Sequence, residues 1–193
     1  EARQKGMEVP DLGAYEKEDW PAPQKGTAAM ISRMDADLGR LFERLKKHGI
    51  DEKTVVFFTS DNGPHREGGN NPDFFNSNGP LRGIKRALYE GGIRVPLLVR
   101  WPGKIRAGST TDFIGSFADV LPTMAVLAGA RGRQVTDGLS FVDTLVGDNQ
   151  RQKHHDYLYW EFYEGRSAQA VRMGDWKAVV KPLHGTKLEL YHL

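Results

Sequence analysis

The run Thr54-Val55-Val56-Phe57-Phe58-Thr59 constrains the fold more than any other stretch of the chain. It is apolar, rich in β-branched and aromatic residues, and does not alternate. A strand of that kind is covered on both faces, as in the parallel sheet of an α/β domain. Its neighbours point the same way. Upstream, Met30, Ile31, Met34, Leu38, Leu41, Phe42 and Leu45 recur at spacings of three and four. This pattern predicts a helix with Thr27 as its N-cap and Lys46, Lys47 and Gly49 at its end. Before it, residues 1 to about 26 are polar and interrupted by Pro10, Pro21 and Pro23, and read as loop. Downstream, Arg94 to Arg100 reads as a second buried strand stopped by Trp101-Pro102-Gly103. A further helix begins near Asp119, with Pro122 in its tolerant first turn and Gly129 at its end. The order helix, strand, long loop, strand, helix is that of an α/β domain.

From about residue 146 the texture changes. Tyr157 to Tyr163, Ala168 to Arg172, Trp176 to Val180 and Lys187 to Leu193 read as short strands, with a turn at Gly174-Asp175. Residues 1–145 are therefore expected to form one α/β unit, and residues 146–193 the start of a small antiparallel subdomain. With 39% apolar and 27% charged residues the composition is globular, and no apolar run is long enough to span a bilayer. The formal charge of +2 is spread along the chain, which gives no footprint for nucleic acid. The absence of cysteine rules out disulfides, thiolate zinc sites and a thiol nucleophile among these residues. The polar opening, Glu1-Ala2-Arg3-Gln4-Lys5-Gly6, is not a signal peptide, and both ends of the chain read as cuts within something larger.

Between the two α/β strands, Ser60 to Gly92 is glycine- and asparagine-rich, and loops of such length inside a domain carry function or are disordered. Asp61 and Asn62 follow the first strand directly, where open α/β sheets place their ligands. A carboxylate beside an amide oxygen suits a hard cation such as Ca²⁺ or Mg²⁺. By themselves, however, Asp61-Asn62-Gly63 read first as a simple turn. Lys85 lies in the basic stretch Leu81 to Arg86, which leads through Glu90-Gly91-Gly92 into the second strand. A lysine held beside a metal can bind an oxyanion and stabilise charge on a departing oxygen. The spacing is not that of a nucleotide-binding loop.

Thr59-Ser60-Asp61-Asn62-Gly63, then Gly83-x-Lys85, then Glu90-Gly91-Gly92-x-Arg94-Val95-Pro96, together resemble the second half of the sulfatase family. Trp101-Pro102-Gly103, Asp119-Val120-Leu121-Pro122-Thr123 and the helix around Asp35 fit the same pattern, in order, from about residue 27 to the end. The resemblance implies the later part of an alkaline-phosphatase-like mixed sheet flanked by helices, followed by the antiparallel subdomain. It makes Asp61 and Asn62 the last two ligands of a divalent cation, usually calcium, and Lys85 the lysine on the sulfate and leaving-group oxygens. The family's nucleophile is a hydrated formylglycine made from a Cys/Ser-x-Pro/Ala-x-Arg motif. That motif, and the early Asp-Asp pair that completes the metal site, are absent here. The resemblance thus implies a substrate that is a sulfated small molecule or glycan, a periplasmic or secreted location, and no turnover by residues 1–193 alone. A truncated sheet would also leave edges open to self-association. The nearest alternatives are a phosphodiesterase or phosphonate hydrolase of the same superfamily, and a non-catalytic binding module.

His65 stands close after the metal pair, and either contacts substrate, protonates the leaving oxygen or faces solvent. Arg66, Glu67, Phe74, Phe75, Asn76, Asn78 and Arg82 sit in the same long loop and could line a sugar pocket, with Phe74 and Phe75 alternatively anchoring the loop. Glu90 and Arg94 read as a structural ion pair or backbone clamp, and Gly91 and Gly92 as backbone geometry. His154-His155-Asp156 imitates a metal cluster but reads as a solvated loop. Tyr159, Trp160, Phe162 and Tyr163 resemble a sugar-stacking surface, but strand aromatics commonly pack a core.

Overall fold

The computed structural model describes residues 7–130, 135–165, 167–182 and 187–193. The chain divides into two compact units, the first Glu1–Thr54 with Thr59–Leu97, the second Val55–Phe58 with Leu98–Leu193.

The first unit is built on one long helix, α1, Ala22–Lys47. It begins five residues before the expected N-cap. Pro23 stands in its first turn, where a missing N–H costs nothing. Pro21 and Pro23, read as loop in the sequence, are therefore the cap and first turn of the helix, while Pro10 stays outside it. Thr27 is internal, and its Oγ1 donates to Pro23 O at 2.8 Å. Arg44, Lys46 and Lys47 fill the last turn and complement the helix dipole. The N-terminal half of α1 is the buried half: Gln24 is 1% exposed and Ala29 8%. Further along, Ile31 and Leu41 remain exposed. The segment before α1 lies along it. Arg33 pairs with Asp11, and the Tyr15 hydroxyl bonds Ser32 Oγ at 2.8 Å.

The two apolar runs form β1, Val56–Thr59, and β2, Leu97–Arg100, which pair with each other. Coverage on both faces is not what these strands show. β1 is half-buried, and Leu97 and Leu98 at the head of β2 are exposed. Among the described residues this sheet has two strands only, so its apolar faces exceed what the chain can cover. Between the runs, Glu90–Ile93 makes a single helical turn, α2.

In the second unit Ser116 opens a short 3-10 turn with a reciprocal cap: its Oγ accepts from Ala118 N, and its own N–H donates to Asp119. The turn runs into α3, Val120–Leu127, which carries Pro122 in its first turn and ends before Gly129 at φ 65°. A short α4, Val142–Val146, ends at Gly147. Phe141, 5% exposed, packs against Phe57 and Phe113.

The chain then folds into four antiparallel strands in sequential order: β3 Leu158–Phe162, β4 Ala168–Met173, β5 Trp176–Val180 and β6 Leu188–His192. Register places Trp160, Ala170 and Val179 across one face, with Ala170 at 2% and Val179 at 1% exposure. Lys177 is buried on that face with its ammonium 5.3 Å from the Trp160 ring. The other face carries Tyr159, Val180, Leu188 and Leu190, and Leu188 and Leu190 are exposed. This is a mixed α/β fold with a separate antiparallel subdomain, as the sequence predicts. No described helix is long and apolar enough to cross a membrane.

Candidate functional site

Asp61 and Asn62 leave the end of β1 in a turn that local hydrogen bonds define. Thr59 Oγ1 donates to Pro96 O at 2.8 Å, tying the strand end to the start of β2. Ser60 Oγ donates to Asn62 O at 2.8 Å. Asn62 Nδ2 donates to Gly63 O at 2.8 Å, so the end of the amide left for a ligand is Oδ1. Asp61 is exposed, and among the described residues its carboxylate has no hydrogen-bond or ion-pair partner. An unengaged carboxylate and amide oxygen on adjacent residues are donors of the kind a hard cation takes, but too few to complete its shell. Among the described residues no group of three or more His, Cys, Asp or Glu side chains gathers.

Glycines then let three backbones interlock. Gly63 N donates to Gly92 O at 2.9 Å, and a Cβ at Gly63 would stand 1.9 Å from Gly91 O. Gly91 N donates to Arg82 O, and a Cβ at Gly91 would meet Gly83 O at 2.2 Å. The reading of Gly91 and Gly92 as backbone geometry holds. Lys85 N donates to Pro64 O at 2.8 Å, which brings the backbone of Lys85 against the residue two past Asn62 although it lies far along the loop. Arg94 N donates to Glu90 O, the bond that closes the helical turn α2.

The Lys85 ammonium lies 3.1 Å from Glu67 Oε2, and Arg86 Nη1 lies 2.9 Å from Glu67 Oε1. Hydrogen bonds from Arg86 and then Lys85 hold the Glu67 carboxyl well below its usual 4.5, at about 2. His65 is half-buried. Its Nδ1 accepts from Glu67 N at 3.1 Å, and its carbonyl accepts from Asn70 Nδ2 at 2.8 Å. An acceptor at Nδ1 places the ring proton of the neutral imidazole on Nε2. Sequence reasoning placed Glu67 among the loop residues that could line a sugar pocket and gave Arg86 and Asn70 no role.

The loop is anchored, not free. Asn70, 9% exposed, also accepts from Thr27 Oγ1 at 3.2 Å on α1. Trp20 packs edge-on against Phe74 and Phe75 and stacks on Tyr15. Phe74 and Phe75 therefore act as anchors. In the second unit, the solvated-loop reading of His154-His155-Asp156 fails for His155. That ring is 11% exposed, with Nε2 2.8 Å from Asp119 Oδ1. Asp119, wholly buried, also accepts from Ser116 N and Leu139 N at 2.7 Å each. The aspartate organises that unit. Tyr159 on β3 and Tyr163 just past its end both donate to Glu161 between them.

Comparison with known proteins agrees with this architecture. Residues 22–130 match the family described as Sulfatase, and residues 84–192 match "N-sulphoglucosamine sulphohydrolase, C-terminal". The chain is 40% identical over 160 residues to steryl-sulfatase of Mus musculus, covering 81% of this chain and 25% of that protein. It is 38% identical over 154 residues to arylsulfatase A of Homo sapiens, covering 77% and 29%. Among solved structures, Ps i-CgsB in complex with k-i-k-neocarrahexaose superposes with a TM-score of 0.77 at 32% identity, over 91% of this chain and 38% of that one. BT4656, solved with its substrate D-Glucosamine-2-N, 6-O-disulfate, gives 0.70 at 26% identity, over 88% and 34%. The chain thus spans between a quarter and two fifths of these relatives. With a family match over more than half its length, it belongs to the sulfatase family, of the alkaline-phosphatase-like superfamily.

Proposed function

We propose that these residues form the cation- and sulfate-binding part of a sulfatase that hydrolyses a sulfate ester on a carbohydrate. The observation that carries this reading is the bond from Lys85 N to Pro64 O, which draws the backbone of Lys85 to the residue two past Asn62. In this reading Asp61 and Asn62 supply carboxylate and amide oxygens to a divalent cation, calcium by family resemblance, which would neutralise charge on the bound sulfate. Lys85 binds a sulfate oxygen and the leaving-group oxygen, stabilising the charge that develops as the S–O bond breaks. His65 offers Nε2–H as a neutral donor. Acting as an acid would require an imidazolium, which has no lone pair at Nδ1 and would forfeit the bond from Glu67 N.

The formylglycine of the family is not among residues 1–193 and would act from outside them. Residues 1–145 serve as the α/β part and 146–193 as the start of the subdomain. Support for a glycan substrate comes from the two structural relatives that hold a carrahexaose and a sulfated glucosamine. A periplasmic or secreted site of action fits a glycan-degrading role.

Hydrolysis of an aryl sulfate by the full-length polypeptide carrying this sequence tests the reading. Lys85→Ala should lower kcat/KM by about 10²- to 10³-fold. Residues 1–193 alone should show no turnover and should bind calcium weakly in a calorimetric titration. Turnover by these residues alone, or tight one-to-one calcium binding, would overturn it.

A further inference from the structure

Glu67 hydrogen-bonds to both candidate catalytic side chains. Its backbone N–H donates to His65 Nδ1, and its Oε2 accepts from Lys85 Nζ. Its second oxygen accepts from Arg86 Nη1. Two consecutive residues of an extended chain point to opposite sides, yet Lys85 and Arg86 reach the same carboxylate. The backbone at Arg86 is left-handed, with φ 74°. A non-glycine residue in that region is strained, and such strain persists where the surroundings over-determine it.

An ammonium has three N–H donors and no acceptor. With one donor on Glu67 Oε2, the directions of the other two are fixed relative to the loop. Glu67 is ionised across the whole range in which an enzyme works, since its carboxyl is held at about 2. The cluster of Glu67, Lys85 and Arg86 still keeps a net positive charge for an incoming anion.

Resting on the sulfatase reading above, we infer that Glu67 is the positioning residue of the oxyanion site. Its carboxylate aims the Lys85 ammonium and its backbone N–H sets the His65 ring, so that both side chains present N–H donors to the sulfate group. Arg86 is the counterweight that keeps the carboxylate from following Lys85 toward the substrate.

A double-mutant cycle in the full-length polypeptide tests this. Wild type, Glu67→Gln, Lys85→Ala and the double variant are compared by kcat and KM on an aryl sulfate and by calorimetric binding of inorganic sulfate. Misaiming a catalytic group costs on the order of 10²-fold. Glu67→Gln should therefore lower kcat/KM by about that factor, chiefly through kcat, and should weaken sulfate binding. Once Lys85 is alanine, adding Glu67→Gln should cost less than about threefold, because the two residues act as one. Equal losses in both backgrounds would show a merely structural role and overturn the inference. Tighter sulfate binding by Glu67→Gln would also overturn it, since the carboxylate would then be competing with the anion.

The ¹⁵N shifts of His65 report whether the loop survives the change, because the bond to its Nδ1 comes from backbone. If Glu67→Gln lowers Tm, Glu67→Asp keeps the charge but shortens its reach, and it must show the same dependence on Lys85. An active wild type with an additive cycle removes the positioning role alone. A wild type that neither turns over nor binds sulfate removes the sulfatase reading, and this inference with it.

Discussion

A methyl group at Gly63 would stand 1.9 Å from Gly91 O and 3.0 Å from Gly92 Cα, both backbone atoms with little room to yield. Gly63→Ala should therefore destabilise the protein by at least about 2 kcal/mol, read as a lower urea midpoint at unchanged slope. At Glu67 the effect is one of charge. Its folded carboxyl titrates at about 2 against an ordinary 4.5. The depressed value means that its contribution to stability is complete above 4.5 and is lost as pH falls toward 2. Wild type should thus exceed Glu67→Gln in stability by a constant margin above pH 4.5, and the margin should shrink between 4.5 and 2. Acid-unfolding curves of the two proteins check this. Asp61, Asn62 and Lys85 could be named as candidates from sequence because their motif spacing is distinctive. Glu67 could not, because its role depends on the left-handed turn at Arg86, and no side-chain pattern announces a positive φ at an arginine.

Among the elements, the four antiparallel strands were the most legible, since short strand-forming runs and the Gly174-Asp175 turn mark the strands and one hairpin between them. α1 was legible in its interior and not at its start. Pro21 and Pro23 carry opposite meanings inside and at the head of a helix, and only the tertiary bond between Thr27 and Asn70 shows which applies. The apolar runs of β1 and β2 identified strands but overstated their burial, because that depends on neighbours no local pattern contains. His155 was misread for a related reason: its partner Asp119 lies 36 residues away. That pair gives a prediction at this scale. Asp119 accepts from Ser116 N, Leu139 N and His155, which joins the head of α3 to the segments before α4 and β3. Asp119→Asn would turn an amide N–H₂ against one of those donors and should cost about 2–3 kcal/mol, measured by thermal or urea unfolding.

At the scale of the whole molecule, the exposed face of the antiparallel sheet sets solution behaviour. Leu188 and Leu190 are 62% and 61% exposed on β6, with Trp176 across from His192 on the same face. Residues 1–193 alone should self-associate through this face and the open edge of β6, and Leu190→Lys should reduce the sedimenting mass in velocity runs. The interlocked loop has the opposite character. Its bonds from Gly63, Lys85 and Gly91 join backbone segments far apart in sequence, and Gly63, Gly91 and Gly92 are all buried. Solvent deuterium should therefore reach those three amides as slowly as it reaches the interior of α1, and proteases should pass over the stretch from Ser60 to Gly92 despite its lack of regular structure. A segment that looks like the softest part of the chain would then be among the last to open.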